Sequence, residues 1–151
     1  MKAAIKKAVF MALCLLLAVS ASAVEVGLIA GSNSRPTGFF YGVSAGFGFI
    51  VPTIKLEFEG YRIEAAAAYS LSAAVKFRPK FGKFAPYVLL GAGGNFEKLN
   101  FRFSEYDFYT MLGGGLHLLL SSLFSLRADL RFLHFSGIYS TRISGGVFLH
   151  L

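Results

Sequence analysis

The chain has 151 residues, 55% of them hydrophobic, with 17 Phe, 7 Tyr, 17 Gly and a formal net charge of +7. That length holds one domain at most, and a lone cysteine, Cys14, excludes an internal disulfide and a thiolate metal cluster. The charge excess is too modest for a nucleic-acid binder, and no run has the composition of a disordered segment.

The first 23 residues read as an export signal. Lys2, Lys6 and Lys7 form a basic start, 8–19 is a twelve-residue apolar core, and Ala21-Ser22-Ala23 offers a small-residue cleavage site before Val24. Twelve apolar residues are too few to span a bilayer. Cys14, preceded by Leu13, lies inside the apolar core and not at a lipoprotein site. The expected organisation is a signal peptide over 1–23, cleaved after Ala23, and one domain over 24–151. Loss of the three lysines lowers the net charge to +4, twelve basic against eight acidic residues. Cys14 leaves too, so the exported domain needs a source of stability other than disulfides, and embedding in lipid is one.

From Val24 onward the chain divides into segments of about the 9–11 residues that a tilted transmembrane strand requires. Strands are read by strict alternation, one parity towards lipid and the other towards a lumen. The first spans 24–31. The second sets Tyr41, Val43, Ala45, Phe47 and Phe49 against Gly42, Ser44, Gly46 and Gly48. The third sets Ile54, Leu56 and Phe58 against Lys55, Glu57 and Glu59; Tyr61 and Ile63 then share the parity of Glu57, so a bulge or strand end is expected at Gly60. The fourth sets Tyr69, Leu71, Ala73, Val75 and Phe77 against Ser70, Ser72, Ala74, Lys76 and Arg78, and the fifth lies within 84–96. The sixth sets Phe108, Thr110, Leu112, Leu116 and Leu118 against Tyr109, Met111, Gly113, Gly115 and His117. The seventh is the clearest, with Phe124, Leu126, Ala128, Leu130 and Phe132 on one face and Ser125, Arg127, Asp129 and Arg131 on the other. The eighth sets Ile143, Val147, Leu149 and Leu151 against Arg142, Ser144, Phe148 and His150. Eight strands of about 11 residues leave room for seven short connections, whereas ten would leave almost none. With both termini on the periplasmic side, turns fall at 50–53, 79–83 and 119–123, and outer loops at 32–37, 65–67, 97–106 and 137–140.

Three stretches carry a family resemblance. The ending Ser144-Gly-Gly146-Val-Phe-Leu149-His-Leu151 resembles the C-terminal signal of bacterial outer-membrane β-barrels, although Leu151 stands where that signal most often has Phe. Pro86-Tyr87-Val88 leading into Gly91-Ala92-Gly93, and 123–131 with Arg127 and Arg131, resemble strand patterns of small eight-stranded barrels of the OmpA/OmpX type. The resemblance covers the whole exported length. It implies an all-β, antiparallel, up-and-down transmembrane barrel, with outer-membrane lipids, lipopolysaccharide, the barrel-assembly machinery and periplasmic chaperones as partners. A host or surface ligand would be met through the outer loops.

Lys55, Glu57, Glu59, Arg127, Asp129 and Arg131 place mixed charge on the lumenal parity. An eight-stranded interior is just wide enough for side chains to fill, so these groups are expected to pair and plug the barrel; a gate for small ions is the competing reading. His134 and Ser136 resemble the His-x-Ser pair of outer-membrane lipid A deacylases. Gly137 follows where that family has Asn, and no Asp or Glu exists after Asp129 to orient the histidine. A serine without an oriented base is a weak nucleophile, so no enzyme activity is expected. His117 and His150 lack an identifiable third ligand for a metal, and the glycine runs lack the lysine and helix of a phosphate loop; no cofactor is expected. Lys76, Arg78, Lys80 and Lys83 cluster at the second periplasmic turn, where a solvated turn is favoured over contact with leaflet phosphates. Phe39, Tyr41, Phe84, Tyr87, Phe108 and Tyr109 suit interfacial girdles. The loop 97–106 is the best candidate for a recognition surface.

Two other folds compete. The uncharged stretches 36–54 and 108–126 approach the length of membrane-spanning helices, but helices do not explain the charge alternation of the third and seventh segments. A soluble lipocalin-like barrel would put apolar groups inside and charges outside, the reverse of this pattern. The expected function is that of a non-enzymatic outer-membrane protein with a structural or surface-interaction role.

Overall fold

The computed structural model describes residues 24–35, 37–49, 51–97 and 107–151. The expected export signal over 1–23 and most of the loop expected at 97–106 lie outside the described residues. Eight strands follow in chain order: β1 (Val24–Ser34), β2 (Thr37–Phe49), β3 (Val51–Ile63), β4 (Ala68–Phe77), β5 (Phe84–Phe96), β6 (Asp107–Leu119), β7 (Phe124–Phe135) and β8 (Ile138–His150). Each pairs antiparallel with its sequence neighbour, and β1 closes on β8 from Glu25↔His150 to Asn33↔Arg142. Closure leaves no unpaired strand edge, which is the condition for a sheet to sit in hydrocarbon.

The alternation read from sequence sets the two faces. Outside, Leu28 (69% exposed), Leu90, Leu112, Phe132 and Ile143 form an apolar belt. Inside, Glu25, Lys55, Glu57, Glu59, Lys76, Arg127, Asp129, Arg131 and Arg142 are buried. This inversion of the water-soluble pattern is the arrangement of a lipid-embedded barrel, and no helix occurs among the described residues.

Three local expectations are corrected. The pairing runs through Gly60 without interruption (Val43↔Gly60↔Leu71), and the register shift falls instead between Gly48 and Phe49. Tyr61 and Ile63 stay inside because the lumen beyond Glu59 is not polar: they pack with Ile29, Phe40 and Phe148. Tyr87, placed in the girdles by sequence, is also lumenal, and Tyr109 follows its β6 alternation inward instead of joining a girdle, in a cluster with Ala74, Leu89, Met111 and Leu133. Their hydroxyls find partners there, Tyr87 donating to Asp129 Oδ2 at 2.8 Å and Tyr109 sharing a 2.8 Å hydrogen bond with Ser70. Phe39, Tyr41, Phe84 and Phe108 do face outward. The connections at 32–37, 50–53 and 137–140 are also shorter than expected, since strands keep pairing backbone groups that would otherwise be left unsatisfied. Thus β3 begins at Val51, and only Ser136 and Gly137 join β7 to β8. Gly137 takes a φ of 81°, a conformation that glycine adopts without strain.

Candidate functional site

The chemistry-bearing residues converge on the barrel axis. Alternation on β3 aims Glu57 and Glu59 inward, and alternation on β7 aims Arg127, Asp129 and Arg131 at them from the far wall. Arg127 donates to Glu57 Oε2 at 2.9 Å and Glu59 Oε1 at 2.6 Å. Arg131 reaches Glu57 Oε1 at 2.9 Å, both oxygens of Glu59 at 2.7 and 3.0 Å, and Asp129 Oδ2 at 2.9 Å. Arg142, from β8, donates to Glu59 Oε2. Three carboxylates and three guanidiniums therefore interlock at mid-barrel. Charge-assisted bonds of this kind are the strong ones, and a desolvated charge requires them.

Of the six charges expected in the lumen, five belong to this lattice. The sixth, Lys55, lies nearer the end that carries the termini and bonds Glu25 Oε2 at 3.1 Å. Glu25 also receives Lys76 at 3.0 Å and Arg78 at 2.7 Å. Lys76 links the two groups, because its ammonium contacts Glu57 as well. Glu25 is absent from the charges expected in the lumen; its signal in the sequence is the alternation of β1, with Val26 and Leu28 on one parity and Glu25, Gly27 and Ile29 on the other. Arg142 and Lys76 were placed in the lumen but not in the network.

Aromatic faces seat the cations. Arg142 lies 4.8 Å from the Tyr61 ring centre and 5.0 Å from Phe40, Arg127 4.5 Å from Phe148, and Lys76 5.0 Å from Tyr87. Lumenal glycines make the recesses these long side chains occupy. A Cβ on Gly46 would come within 2.7 Å of Glu25 Cγ, and one on Gly113 within 2.7 Å of Arg131 Cγ.

His117 and His150 meet through Ser125, whose hydroxyl lies 3.2 Å from His117 Nδ1 and 2.7 Å from His150 Nε2. Among the described residues no group of three His, Cys, Asp or Glu side chains is placed to hold a metal. Of the residues that resemble a C-terminal assembly signal, Ser144 is lumenal and donates to Asp129, Gly146 leaves room beside the Phe148 ring, and Leu151 is exposed beyond β8.

His134 and Ser136 sit at the opposite rim. The His134 ring packs on its cross-strand neighbour Tyr139, centres 4.7 Å apart, and Ser136 is exposed in the two-residue turn. Among the described residues no hydrogen bond joins His134 to Ser136, and no carboxylate contacts the histidine.

No family model matches the chain, and no curated protein matches it. Solved structures do. The N-terminal β-barrel domain of Pseudomonas aeruginosa OprF superposes with a TM-score of 0.73 at 16% identity, over 86% of this chain and 98% of that one. The chain has the fold of the small eight-stranded outer-membrane barrels. Neisserial surface protein A gives a TM-score of 0.60 at 16% identity, over 84% and 95% of the two chains. The outer-membrane enzyme PagL gives 0.54 at 16% identity, over 82% and 97%. One barrel architecture thus spans a surface protein and an enzyme, so the site and not the fold has to carry function.

Proposed function

We propose that this protein is an exported, integral outer-membrane barrel with a non-enzymatic structural or surface-interaction role. The observation that carries the reading is the filled lumen. Between the lattice of Glu57, Glu59, Asp129, Arg127, Arg131 and Arg142 and the packed rings of Phe40, Tyr61 and Phe148, the axis holds side chains in mutual contact. The apolar belt outside supports residence in lipid, and the likeness to outer-membrane barrels supports the outer membrane as that lipid phase. Against catalysis stand the exposed Ser136 and a His134 that no carboxylate orients among the described residues. Such a barrel offers its surroundings lipid-facing strands and outer connections. Lipopolysaccharide and other surface ligands are then the partners of the outer loops, and the assembly machinery and its chaperones those of the nascent chain.

Planar-bilayer recording of the refolded protein tests the filled lumen. The expected record is free of conductance steps, and steps abolished by Arg131→Met would replace this reading with a channel. Exchange of residues 97–106, with adhesion as readout, tests the surface role; unchanged adhesion removes that loop from it.

A further inference from the structure

Charge is balanced at mid-barrel and unbalanced at the end where β1 begins and β8 finishes. Three carboxylates answer three guanidiniums in the lattice. Nearer the mouth, Lys55, Lys76 and Arg78 converge on the single carboxylate of Glu25. Lys80 and Lys83, on the β4–β5 turn, add two more cations with no ion-pair partner among the described residues. Lys55, Arg78, Lys80 and Lys83 line a cavity of about 580 Å³ together with Ser121, His150 and others, a volume in the range of small-molecule sites.

A solvated turn accounts for Lys80 and Lys83, which are exposed, but not for the other two. Lys55 is 4% exposed and the Arg78 side chain 10%. Arg78 Nη1 is buried and lies 2.7 Å from Glu25 Oε2 without the angle of a hydrogen bond. Both side chains line the cavity, and their one carboxylate is shared with Lys76. A concave surface of one sign with low-dielectric walls concentrates counter-ions. The missing partner is a multiply charged anion with several acceptor oxygens. A guanidinium, several ammonium groups and a serine hydroxyl match phosphate, which carries about −1.5 to −2 charge and three acceptor oxygens.

The geometry points to a phosphate-binding vestibule at the termini-side mouth, in which Arg78, Lys55, Lys80 and Lys83 hold a phosphate-bearing anion. This site is separate from the surface role proposed above and lies at the opposite end of the barrel.

Isothermal titration of the folded protein in octyl glucoside, a detergent without phosphate, uses inorganic tripolyphosphate as the probe. Saturable one-to-one binding is expected. Arg78→Gln and the exposed pair Lys80→Gln/Lys83→Gln should each weaken it about tenfold, the scale of losing a charge-assisted hydrogen bond. Arg62→Gln, exposed and outside the vestibule, should leave it unchanged. Absence of saturable binding by the native protein, or equal affinity in the lysine double variant, overturns the proposal. The source of the phosphate is read in phosphatidylcholine nanodiscs with and without phosphatidic acid. A tenfold loss of tripolyphosphate affinity in the acidic discs that the double variant no longer shows assigns the site to a lipid headgroup. Unchanged affinity, or a loss the double variant shares, assigns it to a soluble phosphate compound.

Discussion

The mid-barrel lattice and the termini-side vestibule lie on the same axis and use the same residue types, yet they obey different rules. In the lattice every charge is fully buried, and Glu59 alone is contacted by Arg127, Arg131 and Arg142. In the vestibule, cations outnumber carboxylates and exposure rises towards Lys80 and Lys83. Burial explains the difference at Lys80 and Lys83, because an unpaired charge is costly only where water cannot reach it, whereas the buried Lys55 and Arg78 stay against Glu25. The lattice is therefore expected to govern stability, and the exposed Lys80 and Lys83 of the vestibule to be nearly silent in it.

Breaking the lattice gives the largest expected effect. Glu59→Gln leaves three guanidiniums short of a carboxylate at one point, and loss of one partner of a buried ion pair costs about 3–5 kcal/mol. Urea titration of the detergent-folded barrel, followed by circular dichroism and by the gel-mobility difference between boiled and unboiled protein, should show that loss. A shift below about 1 kcal/mol, the scale of an exposed pair, would mean that water hydrates the lattice and that it is no plug. Tyr87→Phe should cost less, about 1.5–3 kcal/mol, since it removes only the hydroxyl that donates to Asp129 and leaves the ring in place. Gly113→Ala tests the recess. Its Cβ would lie 2.7 Å from both Arg131 Cγ and the Leu130 carbonyl oxygen, so about 1–3 kcal/mol of overpacking is expected in the same titration.

Most of the fold is legible in the sequence because a barrel strand carries its own two-residue code. Charges on β3 and β7 mark the inner parity, and eight segments of that length leave room only for short turns. The misplaced inward side chains share one cause, the equation of "inside" with "charged". Tyr61 and Ile63 looked out of phase after Glu59, and Tyr87 and Tyr109 looked interfacial, because alternation was judged by polarity when the lumen is polar in the middle and aromatic beside it. Glu25 was overlooked for the complementary reason, a single charge on a strand without a second to confirm its parity. Which arginine meets which glutamate depends on barrel closure and stagger, information held in no single strand. The recesses at Gly46 and Gly113 belong to the same class, since each is defined by a side chain from a neighbouring strand.

The sharpest form of the comparison is the smallest expected change. Lys80→Gln/Lys83→Gln removes two of the cations around the vestibule, and nothing in the lattice depends on either. Exposed substitutions of this kind stay within about 0.5 kcal/mol, so the urea midpoint should coincide with that of the native barrel while tripolyphosphate affinity falls. Glu59→Gln should show the converse, a large loss of stability with anion affinity kept in whatever fraction remains folded. Glu59 contacts Arg127, Arg131 and Arg142 and none of the vestibule cations. Among the described residues Lys76, paired with both Glu25 and Glu57, is the ion-pair link between the two regions. If both variants moved both readouts, that bridge would couple lattice and mouth into one network, and the division between a structural middle and a binding end would fall.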